Sequence, residues 1–346
     1  LNQYSQDAQS WSIFTHNILE VADGLKLTVG LRWSDESKEG GYDQLASNNP
    51  ACLAGLNGLG TGAIPASLAT VVVGLGCFGF TAPALGTPNL PAEYNVNFND
   101  EELIYTGKIS YEFNAPVTAY ASFTHGYKAG GINLDVTAAV NGADPTFLSE
   151  IVDAYEIGLK AQLIDDAVTV NLAAFHQDFQ NLQILEFTGA AFQTFNVPKS
   201  FSTGIELESL IRPTDGLTFN VGLTVTDARY PDDCAGTVTF SQVTELCGNS
   251  LTNAPAVVAI VGGNYEKDLG NYLTAFIGGQ IRTESDRRTS TQASNPGSGG
   301  TVLLPFDVQD SNTIINVRAG IGAQDKSWTL EVWGNNITDQ ITRGVT

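Results

Sequence analysis

The sequence predicts an all-β chain: an antiparallel transmembrane β-barrel of about twelve strands, with short turns on one rim and long loops on the other. Three observations carry this. Apolar and polar residues alternate with period two over long stretches. The stretches so marked are longer than the five or six residues usual in soluble proteins and reach the nine to eleven that a tilted strand needs to cross a bilayer. The connections between them alternate strictly in length, which a soluble sandwich has no reason to do.

Leu25 to Trp33 is the clearest element. Leu25, Leu27, Val29, Leu31 and Trp33 share one face, and Lys26, Thr28, Gly30 and Arg32 the other. The pattern recurs in 103–113, 151–163, 217–225, 273–281 and 315–323. Two stretches are less clean: 256–263 is apolar on both parities, and Ala173-Ala174-Phe175 breaks the alternation. Strands are expected near 11–18, 25–37, 102–113, 117–130, 150–163, 167–185, 193–212, 217–229, 256–267, 271–285, 311–323 and 327–338. Short turns fall at 22–24, 114–116, 165–166, 213–216, 269–270 and 324–326. Long loops are expected over 38–101, 131–149, 186–192, 230–255 and 286–310.

Charge placement agrees. A basic residue on the lipid face near the midplane costs roughly 2–4 kcal/mol. Lys26, Arg32, Lys108, Glu156, Lys160, Arg318 and Glu331 all take the polar parity. Asp153 and Asp227 take the apolar parity, but at the long-loop end, within reach of headgroups or water. Trp33, Tyr105, Tyr111, Phe113, Phe123, Tyr127 and Tyr155 suit interfacial girdles. No run qualifies as a membrane helix; the longest uncharged stretch, 44–92, is cut by prolines and glycines.

Net charge is −21, from 16 basic and 37 acidic side chains, which argues against nucleic acid as a partner. Only 15% of the 346 residues are charged, low for a soluble domain. Four cysteines fall into two local pairs, Cys52 with Cys77 and Cys234 with Cys247, in loop-like sequence. Their spacings match no zinc pattern and suggest disulfides, hence an oxidising compartment.

Few motifs compete. Gly74-Leu75-Gly76-Cys77-Phe78-Gly79 fits G-x-G-x-x-G, but a Pro-containing stretch follows where a dinucleotide site needs a helix. Asp232-Asp233 and the pair Glu284, Asp286 could bind a cation; solvated loop is the plainer reading. Arg282, Arg287 and Arg288 could attract an anionic ligand at the mouth, with Arg282 on the inward parity; lumen polarity is the alternative. Tyr127 and Lys128, near the top of their strand, are candidates of the same kind. The residues call for no catalytic group, no cofactor and no metal.

Six stretches resemble a known family. Gly126-Tyr127-Lys128-Ala129-Gly130-Gly131-Ile132-Asn133 is similar to the G-[YF]-[KR]-x-G-G-[FIY]-N stretch of TonB-dependent outer-membrane receptors. Residues 150–160 (EIVDAYEIGLK), 171–183 (NLAAFHQDFQNLQ, with Phe179 in the usual tyrosine place), 202–208 (STGIELE), 335–339 (NNITD) and 28–33 (TVGLRW) resemble further strands of the same family, in family order. The resemblance implies a barrel of twenty-two strands with an N-terminal plug. No plug, TonB-box segment or terminal aromatic strand is seen, and Leu1–Ser10 is polar. The expectation is therefore a single domain, 1–346, that is a partial barrel.

The function implied is energised uptake of a scarce ligand across the bacterial outer membrane, most often a ferric siderophore. The partners implied are outer-membrane lipid, an extracellular iron chelate, and the TonB complex acting through the missing plug. A passive diffusion channel of about twelve strands is the alternative, and a secreted soluble β-protein used in adhesion a third reading.

Overall fold

The computed structural model describes residues 2–44, 50–69, 72, 76–77, 91, 93–113, 116–187, 191–232, 247–290 and 307–344. Twelve long strands form one antiparallel sheet: β1 (Asn2–Ala22), β2 (Leu25–Gln44), β3 (Glu93–Glu112), β4 (Val117–Lys128), β7 (Glu150–Leu163), β8 (Val168–Phe187), β9 (Phe192–Thr214), β10 (Leu217–Arg229), β11 (Val257–Gly270), β12 (Leu273–Glu284), β15 (Asn312–Ala323) and β16 (Thr329–Gly334). Each pairs with the next in that order. Two-residue strands β5 (Gly131–Ile132) and β6 (Thr146–Phe147) make a small hairpin in one long loop, and β13 (Arg287–Arg288) and β14 (Val308–Gln309) another. No helix among the described residues is long and apolar enough to cross a membrane.

The sheet is open. Among the described residues β1 and β16 are its edges and do not pair with each other. A complete channel of twelve strands would need that ladder, because an unpaired edge in lipid leaves backbone groups unsatisfied at several kcal/mol each.

Register explains the two faces. One row across the sheet reads Leu27, Ile109, Ala121, Ile157, Ala174, Ile205, Val225 and Val257. The row beside it reads Thr28, Lys108, Ser122, Glu156, Phe175, Gly204 and Thr226. The apolar row is exposed, Ile157 at 63% and Ile277 on the same face at 61%. A continuous apolar surface on this scale is unstable in water and suits lipid. The polar row faces the lumen.

Aromatic side chains on the lumen face explain much of the glycine. Tyr120, Phe175 and Phe276 lie flat against Gly158, Gly204 and Gly320 of the neighbouring strands, where an added Cβ would come within 2.5, 2.7 and 2.6 Å of the ring. This accounts for the broken alternation at Phe175, which occupies the lumen side because Gly204 leaves it room. Tyr120 also donates to Glu156 at 2.6 Å and carries Lys108 over its ring at 4.3 Å, so the charged parity forms a knit wall. On the lipid side, Trp11 packs on Trp33 at 4.5 Å, and Tyr105, Phe123 and Tyr155 form a row at 5.8 and 4.9 Å. This is an interfacial girdle. Tyr111 and Phe113 pair at 4.9 Å toward the short-turn rim. Beyond the upper row, Asp153 meets His125 at 2.6 Å, so the outward-parity carboxylate has a partner.

Several boundaries differ from expectation. β1 starts at Asn2 rather than near 11, β2 runs to Gln44, and β3 starts at Glu93 rather than 102. These extensions stand above the girdle, where both faces meet water and the period-two signal disappears. The connection expected as a long loop at 186–192 is four residues, because β8 reaches Phe187 and β9 starts at Phe192. The loop after β2 contains a helix, α1 (Pro50–Gly60), that no periodicity announced. Cys52 and Cys77 form a disulfide there; Cys247 is disulfide-bonded, and Cys234 lies outside the described residues.

The extension of β2 and β3 sets like charges opposite each other: Asp35 faces Glu101 and Asp43 faces Glu93, while Asp7 of β1 faces Glu39. Directly opposed like charges destabilise a sheet by roughly 0.2–1 kcal/mol. Glu101→Lys is therefore expected to raise the thermal midpoint of the detergent-solubilised protein slightly, by an amount that shrinks with added salt. A lowered or salt-independent midpoint contradicts this reading.

Candidate functional site

Among the described residues, the long-loop rim holds three packed clusters. The first follows from the G-Y-K-A-G-G-I-N stretch. Gly130 sits against the Phe98 ring and the Phe147 carbonyl with no room for a Cβ. Its carbonyl accepts from Lys38 at 2.6 Å, and its N–H donates to Ser149, whose hydroxyl donates to Asp100. Asn133 exchanges two hydrogen bonds with the backbone of Thr194, at 2.9 and 2.8 Å. Asn196 does the same with Leu148, at 2.9 and 2.7 Å. Tyr42 and Val136 form a small core with Tyr94 and Val140. Burial raises the Tyr42 hydroxyl to about 12, with Tyr4 and Asp135 adding to it. The second cluster packs Ile184, Val197 and Tyr230 with Leu182, Phe195 and Leu251, tying the tops of β8 and β9 to the loop after β10.

The third cluster centres on Glu284, at the top of β12. Its side chain is 3% exposed. Oε2 meets Arg282 Nη2 at 2.7 Å, and Oε1 accepts from Arg287 and, at 2.7 Å, from Asn312. Arg287 also donates to the Arg343 carbonyl at 3.0 Å and to Asn253 at 3.3 Å. Arg343 N–H in turn donates to Gln309 at 2.7 Å. Glu284 thus joins β12, β13 and β15 directly, and through Arg287 the loop after β10 and the segment after β16. Solvated loop is the plainer sequence reading for Glu284; it is buried because Arg282, Arg287 and Asn312, from β12, β13 and β15, close on it. Asp286 and Asp232 are exposed, and Asp233 lies outside the described residues.

The candidate residues separate accordingly. Arg282 and Arg287 converge on Glu284. Arg288 is buried beside Tyr230 and Asp307; burial lowers its pKa while those two neighbours oppose the change. Tyr127 donates to Glu36 at 3.1 Å rather than standing in the girdle. Lys128 is exposed at the end of β4. No hydrogen bond or ion pair among the described residues joins Tyr127 or Lys128 to the arginines.

Below this rim, the lumen wall of β10 to β16 holds a concavity of about 390 Å³ whose lining includes Asn220, Asn264, Gln280, Asn316, Arg318 and Trp333. Arg318 donates to Asn264 at 3.1 Å and lies over Phe276 at 5.5 Å. Sequence reasoning put Arg318 on the polar parity but did not single out this carboxamide surface. Its residues come from five strands, and only register brings them together. No group of three or more His, Cys, Asp or Glu among the described residues could hold a metal ion.

An apolar belt, aromatic girdles, a polar lumen and knit outer loops define the wall of a transmembrane β-barrel of the bacterial outer membrane. The chain belongs to the TonB-dependent receptor-like β-barrel family, whose model matches residues 1–337. The family is one of receptors and transporters, not enzymes. The chain is 26% identical over 135 residues to the pesticin receptors of Yersinia enterocolitica and Yersinia pestis, a match covering 39% of this chain and 20% of theirs. Its fold is similar to the ferric yersiniabactin uptake receptor FyuA from Yersinia pestis (TM-score 0.69, 16% identity, 98% of this chain and 42% of that one). It is also similar to the siderophore receptor PiuA from Acinetobacter baumannii (0.63, 17%, 97% and 40%) and to the copper transporter OprC (0.62, 14%, 98% and 42%). The chain spans about two-fifths of each of these structures.

Proposed function

We propose that this chain is the barrel part of an energised outer-membrane importer whose cargo is a ferric siderophore or similar iron complex. The observation that carries the reading is the family match across nearly the whole chain. It is supported by fold neighbours that include receptors for ferric yersiniabactin and other siderophores. In this reading the rim clusters hold a preformed capture surface, the polar lumen provides the path, and the TonB complex drives release through a plug outside this chain.

The test is uptake. A host stripped of its own iron-chelate receptors and given the full-length protein is expected to accumulate radioiron from a ferric chelate, and to stop when TonB is deleted. Accumulation that survives loss of TonB means passive diffusion and overturns the proposal.

A further inference from the structure

We infer that the cargo is a neutral or cationic iron chelate, not an anionic one. The inference rests on the iron-chelate reading above and narrows it by charge.

The rim is acidic where strands rise above the membrane. Residues 34–44 carry four carboxylates and residues 93–102 another four, against a single basic residue, Lys38. Lys38 is itself held by Glu36 at 3.3 Å and by the Gly130 carbonyl. Asp35, Glu39, Asp43, Glu93 and Glu101 take the outward parity and Glu36, Asp100 and Glu102 the lumen parity, so the charge surrounds the opening on both faces of the wall. A rim of one sign raises the local concentration of the opposite sign and repels its own, changing association rates by about 10- to 1,000-fold at low salt.

The rim arginines that could reverse this field are engaged, while Lys128 and Lys199 stand exposed. Recognition of an anionic chelate calls for guanidinium forks with donors to offer. Arg282 and Arg287 both close on the buried Glu284, and Arg229 closes on Asp227 at 2.8 Å. Arg288 is buried against Asp307. Deeper in the lumen, the concavity between β10 and β16 offers carboxamides that donate and accept equally, together with the Trp333 indole. Its one cation, Arg318, shares the lining with Glu331. These surfaces suit a ligand whose outer atoms are hydroxyls, amides or ammonium groups.

The experiment uses one chelate core at three charges. Ferrioxamine B carries an ammonium; acetylation makes it neutral, and succinylation makes it anionic. Ferric enterobactin, a trianion, is the fourth probe. Binding of each to the full-length receptor in detergent is followed by tryptophan quenching at low and at physiological ionic strength. The expected order is cationic, then neutral, then anionic. The first should exceed the last by at least about tenfold at low salt and by less as screening shortens the field. The combined variant Glu39→Gln, Glu93→Gln, Glu101→Gln, at exposed positions, is expected to shrink the spread several-fold.

Tighter binding of the succinylated core or of ferric enterobactin overturns the inference and leaves the iron-chelate reading standing. A spread unmoved by salt and by the triple variant also overturns it. If no ferric chelate binds, and TonB-dependent iron uptake is absent as well, the iron-chelate reading falls and this inference with it.

Discussion

Glu284→Ala is expected to loosen the outer rim on one side while leaving the barrel wall intact. Removing one partner of a buried ion pair strands the other and costs about 3 kcal/mol or more. Here the stranded group is Arg287, whose side chain is only 13% exposed. Arg287 would no longer be held in place for the Arg343 carbonyl and Asn253. The measurement is hydrogen exchange on the full-length receptor. The amides of Asn253, Thr289 and Arg343, which bond to the Arg288 carbonyl, the Asp307 carbonyl and the Gln309 side chain, should lose about 100-fold in protection. The amides within β12 from Leu273 to Ile281 should not change, since the ladders with β11 and β15 are untouched. Glu284→Gln keeps the shape and one acceptor and should fall between. Unchanged protection at all three sites would show that the ion pairs do not hold the loops.

Gly216→Val is expected to prevent assembly of the barrel. Gly216 turns β9 into β10 with φ +74, a left-handed conformation that costs an L-residue roughly 1–2 kcal/mol. Steric contact costs more. A Cβ here would lie on top of the Glu266 carbonyl oxygen of β11, and that backbone cannot step aside because Glu266 N–H donates to the Gly216 carbonyl at 2.8 Å. The control is Gly270→Ala. Its φ is +76, yet nothing lies within 4 Å of an added Cβ, so only the conformational cost applies. Heat-modifiable gel mobility of receptor from outer membranes gives the folded fraction. Gly270→Ala should stay mostly folded and Gly216→Val mostly unfolded. Equal behaviour would mean that contact with β11 does not decide assembly at this turn.

All twelve sheet strands were expected from the sequence, most of them from clean alternation, because lipid and lumen impose opposite demands on successive residues. Turn positions were legible for a related reason: Gly24, Gly216 and Gly270 adopt positive φ, and glycine marks such sites locally. The extensions of β1, β2 and β3 were not legible. Above the membrane both faces meet water, and stretches such as Glu36 to Gln44 carry no period. They are strands because a partner in register pairs with them, and that partner lies far away in the chain.

The candidate site divides along the same line. The polar parity of Arg282 and Arg318 was readable, as was the grouping of the cysteines. That Glu284 would be buried with two arginines was not, since its partners include Asn312, 28 residues on, and the assembly around Arg287 reaches to Arg343. The G-Y-K-A-G-G-I-N stretch could be recognised but not explained. Its Gly130 and Asn133 brace a loop against β3 and β9, which sequence alone does not bring near.

By itself, then, the sequence determined the fold class, the strand count, the two rims and the face most strand side chains take, because each is a local response to lipid or water. Tertiary structure decided which charges neutralise one another, how far the strands rise and where the lumen is concave. Those outcomes depend on inter-strand register and loop packing, which join residues with no relation along the chain.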